Sequence, residues 1–319
     1  MNIPTITFLK NKDIDRSKWD SCIENSCNGT FYAMSWCLDA IADNWDALIA
    51  GDYEIVFPVT YVKKFGMKIL YTPICIQQLG VFSQQRLSEE TLTAFLKAIP
   101  KKFLFGKLKL NSENIFTKDC GFQLENRVNI EQNISASIEI LRKSYKRNIV
   151  ENLKKARKND IYIQESANFH DTIEVYRSNK GEHYHTEKKY YELTYKLMEI
   201  LAAKQLLIVH EARNAEGKCI AGEVAVLFKN KIMLRVLGCN SEGYRTGATS
   251  LVIDSILERF AGAKEICDFG GSNTKSVAYF YAGFGGRIAP YYEVSIENIP
   301  KSIIKMIFKV KNICDKRNM

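Results

Sequence analysis

The chain has 319 residues, of which 46% are hydrophobic and 25% are charged. This is the composition of a globular protein, and it excludes a disordered or fibrous chain. The net charge of +9 favours an anionic partner, either a phosphate-bearing donor, a nucleic acid or a lipid surface.

Two features concern the environment of the chain. The first residues lack a basic segment followed by a long apolar run, and no stretch reaches the roughly 18 apolar residues of a membrane helix, so a cytoplasmic protein is predicted. The nine cysteines are an odd number spread from Cys22 to Cys314, which indicates reduced thiols. Cys22 and Cys27 have no second pair at ligand spacing, so no metal site is predicted.

The first third of the chain alternates helical and strand patterns. A helix is predicted within 31–45, antiparallel strands over 46–82, a helix from Ser88 to Pro100 and a strand over 102–110. The composition turns polar at Cys120 and Gly121, and the length suits two domains. We therefore expect domains over 1–125 and 126–319.

The second part opens with a strand and one long helix over 135–160. An apolar stripe, spaced by three or four residues, predicts that one side of this helix packs inward. It consists of Ile138, Leu141, Tyr145, Ile149, Leu153 and Ala156. Eight basic side chains against one acid between residues 142 and 158 indicate either a solvated face or an anion-binding surface.

The remaining elements follow in a regular order. A helical zone over 171–204 contains His183 and His185, which lie either in a substrate-facing loop or on an ordinary polar surface. A three-stranded antiparallel meander is predicted over 206–237, then a loop over 239–250, a helix, the short strand "EICDF", a helix over 274–284 and a strand "YYEVSI". The tail forms a basic amphipathic helix, with Ile303, Ile304 and Ile307 near one side, which either packs on the domain or contacts a membrane surface.

Four segments resemble the FemABX-like proteins of the GNAT superfamily. "SYKRNIVENLKKARKNDIYI" is similar to the basic helix that opens their catalytic half, and "DFGGSNTKSVAYFYAGFGG" to their closing strand, helix and Phe-Gly turn. "FYAMSWCLDAIADNWDALI" with "PICIQQLGVFS" is similar to their amino-terminal half. The resemblance implies an α+β fold of two tandem GNAT-like domains, each a mostly antiparallel twisted sheet flanked by helices, with the first domain degenerate and on the acceptor side.

The resemblance also implies an activity. FemABX-like and GNAT proteins transfer an aminoacyl or acyl group from aminoacyl-tRNA or acyl-CoA to an amine, here that of a cell-envelope precursor or sugar. Direct attack by the amine needs donors for the oxyanion and an acid for the leaving group, but no enzyme nucleophile. The alternative is a non-catalytic GNAT-fold module that binds a phosphorylated metabolite or an anionic surface.

Candidate donor-binding residues come from two glycine-containing segments. The resemblance places the carrier phosphates at Arg245, Gly247, Ala248 and Thr249, although a simple capped loop explains this segment equally well. Gly270 and Gly271 leave room for a ligand after a strand. Lys275 lies in the first turn of the next helix, where a positive charge is unfavourable unless it meets an anion.

Candidate catalytic and acceptor residues follow from the same resemblance. Tyr279 aligns with the leaving-group acid, with Tyr281 as the alternative, and Asp268 either acts as base, orients the amine or caps the next turn. The acceptor-binding candidates are Arg147, Asn148, Gln77 and Gln78. For each of these, packing or solvent exposure is the competing explanation.

Overall fold

The computed structural model describes residues 5–181, 188–270, 273–300, 302–304 and 307. Its strands are β1 (Ile6–Leu9), β2 (Trp45–Ala50), β3 (Ile55–Lys64), β4 (Met67–Leu70), β5 (Phe82–Ser83), β6 (Phe103–Lys109), β7 (Gln123–Arg127), β8 (Ile130–Asn133), β9 (Tyr162–Ser166), β10 (Leu207–Arg213), β11 (Cys219–Phe228), β12 (Lys231–Cys239), β13 (Ile266–Asp268), β14 (Arg287–Ile288) and β15 (Tyr291–Glu297). Its α-helices are α1 (Arg16–Asn25), α2 (Ser35–Ile41), α3 (Glu89–Lys97), α4 (Ile138–Arg142), α5 (Arg147–Lys158), α6 (His170–Tyr176), α7 (Lys188–Ala203), α8 (Ser241–Thr246), α9 (Ala248–Phe260) and α10 (Lys275–Ala282).

The chain divides into two compact units. Unit 1 comprises the residues up to Arg127 and those from Tyr291 onward, and unit 2 comprises Val128–Pro290. Each unit contains one mixed sheet whose pairs are mostly antiparallel. The predicted α+β class with mostly antiparallel sheets is confirmed.

The sheet of unit 1 has the order β1-β2-β3-β4-β6-β15-β7, with β5 on β3. Helix α3 begins as predicted, because the Ser88 side chain accepts a hydrogen bond from the Thr91 amide at 3.3 Å. Its buried face contributes Leu92 and Phe95 to a core that also contains Phe103 of β6. Burial of such apolar side chains is the main stabilising contribution to this unit.

The last strand corrects the expected domain assignment. Residues 126–319 were predicted to form one domain, but β15 pairs with β6 and β7 in the sheet of unit 1. Glu293 of β15 also forms ion pairs with Lys107 and Arg127 on those two strands. The chain therefore leaves unit 1 after β7 and returns to it at β15.

The sheet of unit 2 has the order β14-β8-β13-β12-β11-β10-β9. The predicted meander is confirmed as β10, β11 and β12, and β13 pairs with β12 in parallel. Helices α5 and α9 pack on it through Ile149, Leu153, Ile253 and Ile256, which are buried in one apolar cluster. The apolar stripe predicted for the first helix of this unit thus faces inward.

Two predicted elements differ in their limits. The helix expected over 135–160 is interrupted between α4 and α5, because Lys146 is extended and its amide donates to the Gly283 carbonyl at 2.8 Å. The loop expected over 239–250 contains the short helix α8, which Asn240 caps by accepting from the Gly243 amide. A long-range backbone hydrogen bond in the first place, and a side-chain cap in the second, mark helix ends that apolar periodicity does not reveal.

Some sequence expectations fall outside the described residues, namely those on His183, His185 and Gly271 and most of the tail helix. Within the described ranges, no helix combines the length and hydropathy of a membrane crossing. No disulfide joins the cysteines at described positions. The same part of the chain holds no group of three His, Cys, Asp or Glu residues arranged to bind a metal.

Candidate functional site

A cavity of about 500 Å³ lies in unit 2 beside the end of the pairing between β12 and β13. The two parallel strands pair over only three positions, ending with Met233 opposite Asp268. Beyond that point, Leu234 and Arg235 of β12 and Phe269 and Gly270 after β13 line the cavity. The cavity wall therefore begins where the pairing of the two strands ends.

Helices supply most of the rest of the cavity wall. Most of the lining side chains are apolar or aromatic, with hydroxyl and amide groups between them, as is usual for a small-molecule site. Leu237 of β12 and Gly247 between α8 and α9 also line the cavity, and the helices contribute Asn152, Tyr176, Tyr244, Thr249, Ser250, Ser276, Val277, Phe280 and Tyr281. The side-chain amide of Asn152 donates to Ser250 Oγ at 3.2 Å, which joins α5 to the start of α9 beside the cavity.

The structure distinguishes the two tyrosines proposed as the acid. Tyr281 is 7% exposed and lines the cavity, whereas Tyr279 is 60% exposed and is not among the lining residues. Lys146 Nζ lies 4.7 Å from the centre of the Tyr279 ring. Burial raises the pKa of Tyr281 well above its ordinary value, so its phenol stays protonated at neutral pH. Of the two phenols, Tyr281 is therefore the one that lies in the cavity wall.

Asp268 lies at the end of β13 and is buried. Its Oδ1 accepts a hydrogen bond from the Gly270 amide at 2.8 Å, so it caps the turn that leads into the cavity. Burial raises the pKa of its carboxyl group. Gly270 has φ of +75° and lies so close to the Leu234 carbonyl that a Cβ atom would be 2.5 Å from that oxygen. The Asp268 turn therefore holds the chain tightly against β12.

A buried carboxylate, that of Glu223 on β11, lies opposite an irregularity of β12. The register of β11 and β12 shifts after Val224, so Arg235 is an extra residue on β12. Glu223 Oε1 accepts hydrogen bonds from the Arg235 amide at 2.8 Å and the Val236 amide at 3.1 Å. The carboxylate also helps to raise the pKa of Tyr281, which places the two groups within electrostatic range.

The predicted phosphate segment is divided between the cavity and the core. Gly247 and Thr249 line the cavity, but Ala248 is fully buried and Arg245 is exposed and outside the lining set. The Thr249 hydroxyl donates to Cys239 Sγ at 2.9 Å. Helix α9 begins at this point, so the positive end of its dipole lies beside the cavity.

The remaining candidates of unit 2 are more peripheral. Lys275 is exposed in the first turn of α10 and does not line the cavity, although the neighbouring Ser276 does. Arg147 is 91% exposed at its side chain and pairs with Glu151 at 2.6 Å, and Asn148 is half-buried. These three residues are on the surface of α5 and α10 rather than in the cavity.

The two glutamines belong to unit 1. Gln78 is buried, and its Oε1 accepts from the Ser112 amide at 3.0 Å, which fixes the turn after β6. Gln77 is half-buried. For Gln78 this bond provides a structural role in its own unit.

Sequence reasoning missed several cavity residues. Arg235 lines the cavity and is the single charge in the apolar run "IMLRVLG". Glu223, which accepts from its amide, is the single acid in "IAGEVAV". A lone charge within an apolar strand indicates a functional position, because such residues are rarely buried. Tyr176 and Asn152 lie in ordinary helical sequence and carry no such signal. Their place in the wall depends on how α5 and α6 pack.

Comparison with known proteins gives similarity in structure but not in sequence. Neither a protein-family model nor a curated protein matches the sequence. The crystal structure of FemX is similar at a TM-score of 0.66 and 14% identity, covering 94% of this chain and 99% of FemX. L-PGS from Bacillus licheniformis has a TM-score of 0.55 at 9% identity, with 96% and 98% of the two chains covered.

A third similar structure contains two GNAT domains in one chain. It is a tandem GNAT protein from the clavulanic acid biosynthesis pathway, determined without AcCoA, with a TM-score of 0.52 at 9% identity and coverage of 93% and 99%. The fold of the chain is therefore a FemABX-like tandem GNAT fold.

Proposed function

We propose that the chain is an N-acyltransferase or aminoacyltransferase that moves its group from an activated carrier directly to an amine. The observation that carries the proposal is the position of Tyr281 in the wall of the cavity between β12 and β13. The FemABX-like fold supports the reaction class, because the resemblance implies transfer to amines. The donor is either acyl-CoA or aminoacyl-tRNA.

The reaction requires one bond to form and one to break. A neutral amine attacks the donor carbonyl carbon, a C–N bond forms, and the carbonyl oxygen becomes an oxyanion. Collapse of this intermediate breaks the C–S bond of a thioester or the C–O bond of an ester. The attacking nitrogen loses its proton to solvent, and Tyr281 gives its proton to the leaving thiolate or alkoxide and regains one from solvent.

Two features of the wall suit an anionic carrier. The start of α9, at Gly247 and Thr249, presents the positive end of the helix dipole to the cavity. Arg235 contributes a cation that can bind phosphate in bidentate geometry. The basic surface of α5 suits a polyanionic donor such as tRNA, and binding of that kind weakens steeply with salt.

The acceptor belongs to the same proposal. An amine of a cell-envelope precursor or sugar is the acceptor that the FemABX-like resemblance implies, and Arg147, Asn148, Gln77 and Gln78 remain its candidate contacts. Acyl-CoA and aminoacyl-tRNA are cytoplasmic metabolites, so we place the reaction in the cytoplasm. The tail helix remains a candidate for contact with a membrane surface.

The experiment combines ligand binding with turnover. Thermal shift with CoA esters and charged tRNAs identifies the donor, because a ligand raises the unfolding temperature in proportion to its occupancy of the native state. With that donor, Tyr281→Phe should lower kcat roughly 100-fold at an unchanged KM for the donor. Tyr279→Phe is the matched control and should keep nearly full activity.

The results separate the proposal from its alternatives. If Tyr279→Phe lowered kcat and Tyr281→Phe left it unchanged, the acid would be Tyr279. Donor binding without turnover of any amine acceptor would favour the non-catalytic module that binds a phosphorylated metabolite. No stabilisation by either donor class would contradict the transferase proposal.

A further inference from the structure

The hairpin between β3 and β4 presents an aromatic side chain at its tip. Phe65 and Gly66 form the two-residue turn between the paired residues Lys64 and Met67. Both turn residues have positive φ, +51° for Phe65 and +74° for Gly66, as in the type I′ turn that favours Asn-Gly. Phe65 is 78% exposed. The turn therefore carries a bulky residue in a backbone conformation that suits it poorly.

Lysines surround this tip. Lys63 is directly opposite Lys68 on the hairpin, and Lys68 is also level with Phe103 on β6 through parallel pairing. The residues before Phe103 therefore lie at the same end of the sheet as the turn. The lysines at this end are Lys63, Lys64, Lys68, Lys101 and Lys102.

The lysines interact with one another electrostatically. Burial, and then the charges of Lys68 and Lys10, lower the pKa of Lys102. Asp46 partly offsets this charge, since its Oδ2 lies 3.8 Å from Lys68 Nζ. Several positive charges close together are destabilising by themselves and are relieved by an anionic partner.

We propose that the β3–β4 hairpin is a docking point for an anionic membrane surface. Phe65 enters the boundary between headgroups and acyl chains, while the exposed Lys63 and Lys64 remain among the negative headgroups. An exposed apolar tip surrounded by long basic side chains has the chemistry that this boundary binds.

A membrane explains the arrangement better than a nucleic acid does. Non-specific recognition of a single strand uses aromatic side chains in series along a basic groove. Here one aromatic side chain projects from a turn, and the exposed Lys63 and Lys64 lie behind it on β3. A lipid surface meets the tip and the lysines together.

Vesicle sedimentation of the full chain tests the proposal. We expect binding to phosphatidylcholine vesicles that contain phosphatidylglycerol, weaker binding at high salt, and little binding to phosphatidylcholine alone. Phe65→Asn should weaken binding roughly tenfold, because it removes the inserted ring. It should not lower the unfolding temperature, because asparagine tolerates positive φ.

Two controls distinguish vesicle binding through the hairpin tip from non-specific vesicle binding. Ile115→Asn replaces another exposed apolar residue of unit 1, located beyond the carboxyl end of β6, and should leave binding unchanged. The double variant Lys63→Glu with Lys64→Glu should weaken binding roughly tenfold or more, whereas the same change at Lys154 and Lys155 on α5 should not.

Three results would overturn the proposal. The first is wild-type vesicle binding by both Phe65→Asn and the Lys63 and Lys64 double variant. The second is an equal loss from the Lys154 and Lys155 variant, which would assign the attraction to net charge. The third is absence of vesicle binding together with single-stranded RNA binding that Phe65→Asn weakens.

Discussion

Glu223 and Arg235 are joined across β11 and β12 by a hydrogen bond of 2.8 Å from the Arg235 amide to Glu223 Oε1. The same oxygen accepts from Val236, so one buried carboxylate oxygen satisfies the two amides at the extra residue of β12. Because Arg235 lines the cavity, this bond connects the sheet interior with the site.

Glu223→Ala should therefore destabilise unit 2. Two buried amides lose their acceptor, at a cost of about 3 kcal/mol, whereas Glu223→Gln keeps a carbonyl acceptor and should cost about 1 kcal/mol. Amide hydrogen exchange in peptides covering 231–239 measures the effect locally. Tryptophan fluorescence is an internal control, since Trp19, Trp36 and Trp45 all belong to unit 1. Equal protection in the alanine and glutamine variants would contradict the role of the acceptor.

Gly247 provides a prediction about packing beside the cavity. It has φ of +80°, and a Cβ atom there would overlap the Asn152 backbone carbonyl of α5. Gly262 has φ of +76° but open space around the same position. Gly262→Ala should cost only the backbone strain of about 1 kcal/mol, and Gly247→Ala about 2 kcal/mol more. Urea unfolding followed by circular dichroism compares them, and equal costs would show that α5 moves away without penalty.

The sequence indicates which segments form helices and strands more reliably than it indicates which strands pair. The meander over β10–β12 and the Ser88 cap are local patterns, and the structure contains both. The strand β15 was also recognisable, but its pairing with β6 and β7 depends on residues more than 150 positions earlier. Periodicity does not encode that choice, so the expected domain limits failed there.

The same reasoning explains the two tyrosines. Tyr279 and Tyr281 are two residues apart on α10 and therefore face different directions. The resemblance placed a phenol in this helix but did not decide which face meets the cavity, because that face is set by the packing of Phe280 and Tyr281 in the core of unit 2. Which side chain faces the cavity is therefore decided by tertiary packing.

His210 makes the stability of unit 2 depend on pH. It is 2% exposed, with Nδ1 2.8 Å from Ser255 Oγ, and burial lowers its pKa from 6.5 to about 4. The unfolded state therefore binds the proton more tightly. The neutral side chain imposes no penalty above pH 6.5, and stability falls as the pH drops from 6.5 towards 4, by roughly 3 kcal/mol in total.

The measurement is urea unfolding between pH 4 and pH 7. His210→Asn should flatten the dependence in this range, although it lowers stability at neutral pH by removing the packed ring. His170→Asn changes an exposed histidine of the same unit and should leave the slope as it is. An unchanged slope in His210→Asn would assign the pH dependence to other groups.

Arg235 and Arg245 provide the sharpest test of where the donor binds. Arg235 lines the cavity, whereas Arg245, which the sequence pattern favoured, is exposed and outside the lining set. An anionic carrier in the cavity gains from a cation whose charge is poorly screened there, so Arg235→Gln should weaken donor binding roughly 30-fold. Arg245→Gln should change it less than about threefold, since exposed charges contribute little. Isothermal titration with the donor measures the affinity of both variants. A larger loss of affinity in Arg245→Gln than in Arg235→Gln would place the carrier on the outer face of α8 and exclude the cavity as the donor site.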